Sequence, residues 1–146
     1  MKVVIAQNSG ITDVSVEIHC REIDSDIKKL NTYISNYDEK IEAFNEGETI
    51  YINLNDILYF EAVDNKTFMY TNDTVLSTSM KLYELEIRLS DKDFFRCSKS
   101  AIVNIRKIVK LKPELTRNIL ATLTSGEIVV ISRRYAADFK KLIEEA

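Results

Sequence analysis

The chain has 146 residues, 45% of them hydrophobic, which is enough for one domain with a sizeable core. Only three Gly and one Pro occur, so long disordered stretches are not expected, and no apolar run approaches the ~18 residues of a membrane span. Two distant cysteines exclude a disulfide framework or a C-x-x-C metal site, and the net charge of −3 argues weakly against nucleic acid.

At the N-terminus only Val3 to Ala6 form an apolar run, too short for a signal peptide, and a cytoplasmic location is expected. Val3 to Gln7 reads as a short strand. Asp13 to Cys20 alternates Val14, Val16 and Ile18 with Ser15, Glu17 and His19, the pattern of a half-buried strand. Asp24 or Ser25 is placed to cap a helix reaching about Asn36, with Ile27, Leu30, Ile34 and Tyr37 as its apolar stripe.

From Lys40 onward the texture is β. Strands are predicted at Lys40 to Phe44, Thr49 to Asn53, Ile57 to Val63, Thr67 to Thr71 and Val75 to Thr78, with turns at Asn45-Glu46-Gly47-Glu48, Asp64-Asn65-Lys66 and Asn72-Asp73. Ser79 is expected to cap a helix with Leu82, Leu85 and Leu89 on one face. Phe95 to Lys99, Ala101 to Asn104, Ile108 to Lys112, Ile119 to Leu123 and Ile128 to Ile131 read as further strands. Ser132 is expected to cap a last helix with Tyr135, Phe139 and Leu142 on its inner face.

Enzyme signatures are missing. His19 is the one histidine and lies on a polar strand face, and no Walker loop, G-x-S-x-G, G-x-G-x-x-G or H-E-x-x-H occurs. No catalytic group, metal site or cofactor is expected. Cys97, between Arg96 and Lys99, reads either as a thiol activated by neighbouring cations or as a small buried strand residue.

Charge is unevenly distributed. Residues 96–141 hold 11 Lys and Arg against 3 acids, while the remainder holds 9 cations against 20 acids. Lys99 and Ser100 fall between two strands, and Arg133-Arg134 falls where a strand gives way to a helix. Cations on such loops are suited to base edges and phosphates. Cations on edge strands also deter aggregation, so composition leaves both readings open.

The run Phe95-Arg96-Cys97-Ser98-Lys99-Ser100-Ala101-Ile102-Val103-Asn104-Ile105-Arg106-Lys107-Ile108 resembles the LytTR family pattern F-x-R-x-H-[RK]-S-x-I-V-N-x-x-x-I, shifted so that Phe95 directly precedes Arg96. Ser98 stands where many members carry His. Ile57-Leu58-Tyr59-Phe60-Glu61-Ala62, Leu82-Tyr83-Glu84-Leu85, and Gly126 followed by Val130-Ile131-Ser132-Arg133-Arg134-Tyr135 extend the resemblance over residues 48–143. It implies a mainly β (β-rich α+β), antiparallel fold of about ten strands with few helices, occupying residues 46–146 behind a β–α extension at 1–45. It implies a sequence-specific transcriptional regulator that reads successive major grooves of double-stranded DNA with loops. Lys66 and Thr67, then Ser98, Lys99, Ser100 and Asn104 with the adjoining Arg106 and Lys107, then Arg133 and Arg134 are the implied contacts. A homodimer, or paired monomers on repeated half-sites, and a small membrane protein as regulator belong to the same implication. The alternative is a protein-interaction or regulatory-subunit domain whose basic face meets an acidic partner.

Overall fold

The structure, a computed structural model, describes residues 1–144. Helix α1 (Ser25–Ser35) is followed by β1 (Lys40–Asn45), β2 (Glu48–Asn53), β3 (Ile57–Val63), β4 (Lys66–Thr71) and β5 (Val75–Thr78). Then come α2 (Leu82–Arg88), β6 (Phe94–Ser98), β7 (Ala101–Asn104), β8 (Ile108–Pro113), β9 (Ile119–Leu123), β10 (Ile128–Ile131) and α3 (Arg133–Glu144). Single 3₁₀ turns at Leu54–Asp56 and Ile105–Lys107 lead into β3 and β8. All strand pairing is antiparallel, in a seven-stranded sheet of order β2-β1-β5-β4-β3-β7-β6 and a three-stranded sheet of order β10-β9-β8. The expected mostly antiparallel fold of ten strands with few helices is therefore observed.

Two apolar clusters hold the layers together. The larger joins Ile41, Ile57, Phe60, Met69, Leu76 and Ile102 of the large sheet to Leu82, Leu85 and Leu89 at α2. On the other face, Leu58, Cys97, Ala101 and Val103 meet Ile119, Ala121, Leu123, Val129 and Ile131 of the small sheet and Ala136 and Phe139 of α3. Burying such side chains removes apolar area from water at roughly 25 cal/mol per Å². A register shift at Leu58 lets β3 serve both clusters, because an extra residue on one strand turns the following side chains over. β6 serves both by simple alternation, Phe94 facing the first cluster and Phe95 and Cys97 the second, and a second register shift follows at Cys97.

The β1–β2 and β3–β4 hairpins turn on two residues each. Glu46 and Gly47 have φ of 50° and 83°, and Asp64 and Asn65 have φ of 51° and 63°. Left-handed backbone at both central positions matches the right-handed twist of the flanking strands.

Several expectations are corrected. Neither Val3–Gln7 nor Asp13–Cys20 forms a strand: the segment before α1 lacks a ladder partner, and a strand exists only through such a partner. Val3, Val4, Ile5, Val14 and Val16 are exposed there. β1 supplies the fully buried Ile41 and Ala43, so the packed unit begins before residue 46. Ser79 does not cap α2. Lys81 holds that position, and its backbone N–H donates to Glu84 Oε1 at 3.0 Å. Leu142 is 41% exposed, leaving Ala136 and Phe139 as the buried residues of α3. Phe94 rather than Phe95 reaches the first cluster, so the aromatic stands two residues before Arg96 and the motif needs no shift.

Candidate nucleic-acid interface

Antiparallel pairing fixes which loops are neighbours. Glu61 faces Ala101 across β3 and β7, which brings the β3–β4 turn beside the β6–β7 turn at one end of the large sheet. Ala62 N–H donates to Ser100 C=O at 2.8 Å across that gap. Thr67 faces Thr78, so the chain entering α2 arrives at the same end. There Lys81 Nζ donates to Asn65 C=O at 2.8 Å. The start of α3 is tied to the same region by Ser132 N–H, which donates to Cys97 C=O at 2.8 Å. Lys66, Lys81, Lys99, Arg133 and Arg134, all exposed, therefore sit on turns or element ends joined by hydrogen bonds to the backbone. Asp64 is the exposed acid on the β3–β4 turn itself.

The β6–β7 turn is the most firmly shaped of these loops. Lys99 and Ser100 are its two central residues, and neither has positive φ, unlike those of the β1–β2 and β3–β4 hairpins. The guanidinium of Arg96 instead holds the turn: Nε donates to Ser98 C=O at 2.8 Å and Nη2 to Lys99 C=O at 2.5 Å. Its Nη1 is anchored on α2 through Glu86 Oε2 at 2.9 Å. Ser100 N–H donates to Ser98 Oγ at 3.2 Å. Carbonyls are thus drawn inward and the Lys99 ammonium is left outside.

Asn118 positions Arg133. Its Oδ1 accepts from Arg133 N–H at 2.8 Å, capping the first turn of α3 from another loop, a role the sequence reading gave to Ser132. The Arg134 guanidinium lies 5.9 Å from the centre of the Tyr135 ring.

Four of the sequence-derived contacts are placed elsewhere or otherwise occupied. Thr67 is 3% exposed, inside the sheet. Asn104 is 5% exposed, and its Nδ2 donates to Ile57 C=O at 2.9 Å while its Oδ1 accepts from Arg106 N–H at 3.1 Å. Buried amides with both ends satisfied serve the scaffold rather than a ligand. Arg106 and Lys107 follow the far end of β7, away from the turn of Lys99. Arg106 Nε is paired with Asp93 Oδ2 at 2.7 Å.

That far end carries α1. Thr32 Oγ1 donates to Asp93 Oδ2 at 2.5 Å, Asn36 Nδ2 to Lys92 C=O at 3.2 Å and Asn55 Nδ2 to Tyr33 C=O at 2.9 Å. A small cavity lies at this joint, lined by residues including Lys29, Asn36, Asn55 and Lys107.

Sequence reasoning missed Lys81, for which charge was the only signal, and the clamping role of Arg96. Cys97 is fully buried, and burial pushes its thiol up to about 12, which removes the reading as an activated thiol. Glu61 accepts from Tyr70 Oη at 3.3 Å. Among the described residues no group of three or more His, Cys, Asp or Glu could hold a metal, and no helix is long and apolar enough to cross a membrane.

The described residues form a β scaffold with exposed cations at neighbouring element ends, the framework of a β-type binding domain. The chain belongs to the LytTr DNA-binding domain family, whose model matches residues 47–144. It is similar to the LytTr DNA-binding domain of a methyl-accepting/DNA response regulator from Bacillus cereus, with 29% identity and a TM-score of 0.68, covering 71% of this chain and 95% of that one. It is also 27% identical over 143 residues to proteins named HTH-type transcriptional regulators from Staphylococcus aureus strains NCTC 8325 and COL, covering 97% of both chains in each case. Among the described residues here, five strands separate α1 from α2 and five separate α2 from α3, so no two successive helices form a helix-turn-helix.

Proposed function

We propose that the protein is a sequence-specific transcriptional regulator that docks the loop end of its large sheet on double-stranded DNA. Lys66, Lys99 with Ser98 and Ser100, and Arg133 with Arg134 make the contacts. Lys99 is the base-reading candidate, because its turn is rigidly held and lysine can reach guanine O6 and N7 in the major groove. Ser98 and Ser100 offer hydroxyls to phosphate. Arg133 and Arg134 reach the next stretch of backbone or groove. Thr67 and Asn104 shape the loops from within, and Arg106 and Lys107 lie outside the primary surface. Two copies act on repeated half-sites, in the compartment that holds the chromosome, without catalysis.

The observation that carries this reading is the hydrogen-bonded convergence of three cationic loops at one sheet end. A titration of labelled fragments of bacterial genomic DNA at two salt concentrations tests it. Binding should weaken with a slope of about −0.9 per phosphate contacted in a plot of log affinity against log salt. Salt-insensitive or absent binding returns the basic loops to a protein-interaction role.

A further inference from the structure

Residues 1–24 form no regular structure, yet they carry much of the exposed apolar surface, including Val3, Val4, Ile5, Ile11, Val14, Val16 and Ile23. Along Asp13–Cys20 the strand-type alternation is intact, and exposure falls toward α1: Val14 is 97% exposed, Val16 60%, and Ile18 is half-buried. α1 repeats the theme. Thr32 and Asn36 hydrogen-bond to the sheet end, and Lys29 and Tyr33 join them at the cavity. At 100° per residue, Ile27, Leu30 and Ile34 fall on the far side of the helix. A strand-patterned segment without a partner thus runs into a helix whose apolar stripe, Ile27, Leu30 and Ile34, is only half-buried.

We propose that the partner is a second copy of this chain, and that the two Asp13–Cys20 segments pair as an antiparallel ribbon about a two-fold axis at Val16. The side-chain order supports self-pairing in that register. Val16 faces Val16, Val14 faces Ile18, Ser15 faces Glu17 and Asp13 faces His19. Every apolar residue of the face meets an apolar one, and the polar face pairs an acid with a histidine. Shifting the axis by one residue sets Asp13 against Glu17 or Glu17 against itself. Shifting it by two sets Val14 against Glu22 or Ile18 against Gly10. Like charges facing across strands are destabilising, and an interface about a two-fold axis must be self-complementary. A bare two-stranded ribbon is marginal in water, and the half-buried stripes of the two α1 helices, which each ribbon strand runs into, supply further apolar surface to cover it. The arrangement joins two loop surfaces at the ends remote from DNA. It rests on the proposed DNA reading only in that last consequence.

Cysteine scanning in a Cys20→Ser background tests the register, since Cys97 is buried and unreactive. Facing residues of an antiparallel pair lie ~4.5–5.5 Å apart at Cα, within disulfide reach, whereas residues four positions out of register are roughly 13 Å apart. Under mild oxidation Val16→Cys should convert mostly to covalent dimer. Val14→Cys and Ile18→Cys should each stay monomeric on denaturing gels, yet cross-link to one another after subunit exchange. Equal cross-linking of all three variants, or none from Val16→Cys, overturns the register. Val16→Asp, at an exposed site, should shift sedimentation from dimer to monomer while single-half-site DNA binding persists, and a dimer that survives it overturns the proposal. If Val16→Cys cross-links as described but the wild-type protein binds no DNA, the DNA reading fails and this one stands.

Discussion

Arg96 grips the turn that presents Lys99. Its guanidinium donates to the carbonyls of Ser98 at 2.8 Å and Lys99 at 2.5 Å while Glu86 holds it from α2 at 2.9 Å. Three donors in a planar fork meet this geometry, and a lysine ammonium cannot. Arg96→Ala and Arg96→Lys should therefore both lower affinity for specific DNA by about tenfold or more, ~1.4 kcal/mol, while binding to random DNA changes little. A substitution that weakened both kinds of DNA equally would make Arg96 a plain phosphate contact.

Lys99→Ala should erode discrimination itself. A lost base-edge contact costs about 1–3 kcal/mol on the preferred sequence. Melting should hardly move, because the side chain is exposed and no bond holds its ammonium. Competition binding with specific and shuffled duplexes measures this. An equal loss on both would assign Lys99 to the backbone.

Asn104 was expected at the interface and is found inside. Asn104→Ala removes the 2.9 Å bond to Ile57 C=O and the acceptor for Arg106 N–H. Leaving buried backbone groups unpaired should cost about 1–3 kcal/mol of stability. DNA affinity, measured well below the melting point, should stay near wild type. The opposite pattern, normal melting with lost affinity, would restore Asn104 to the contact surface.

The β architecture was readable because alternation and turn residues are local signals. Asp64-Asn65 and Glu46-Gly47 announce their hairpins, and Leu82, Leu85 and Leu89 announce a buried helix face. What stayed hidden depends on distant partners. Nothing near Asn118 in sequence shows that it caps α3, nor does anything near Glu86 show that it anchors Arg96 ten residues on. The motif marked Asn104 and Thr67 together with Lys99, because a family pattern records residues that shape a loop as well as residues that touch the ligand. Alternation at Asp13–Cys20 suggested a strand, but pattern alone does not supply the neighbour that a strand requires.

Alkaline pH gives a separate check on the second cluster. Burial raises the Cys97 thiol from 9.0 to about 12, so the folded state keeps its proton at pH values where the unfolded chain has lost it. The unfolded state then binds fewer protons, and stability falls as pH rises from about 9 toward 12. Tyr59 and Tyr70, raised first by burial and then by Glu127 and Glu61 respectively, act in the same direction. Comparing wild type with Cys97→Ala isolates the thiol: the variant should lose less stability between pH 8 and 10.5. Parallel losses would mean that the thiol is not protected in solution.

Arg134 and Phe139 lie five residues apart on different faces of α3 and should fail in opposite ways. Arg134 is exposed in the first turn, where the helix dipole disfavours a cation. Its guanidinium lies 5.9 Å from the centre of the Tyr135 ring, a contact worth about 0.5–1 kcal/mol at an exposed site. Helix N-termini favour phosphate, which makes a DNA-facing role the stronger account of an Arg placed there. Phe139 is 1% exposed and packs on Phe95 with ring centroids 5.4 Å apart. Arg134→Ala should thus leave melting within a degree or two and reduce DNA affinity about tenfold, ~1.4 kcal/mol. Phe139→Ala should destabilise by roughly 3–5 kcal/mol, since the cavity opens between the small sheet and β6. Its DNA affinity per folded molecule should fall less than its stability suggests. Melting curves and duplex titrations on both variants decide the matter. Early melting with unchanged affinity in Arg134→Ala would make the arginine a packing residue and move the third contact off α3.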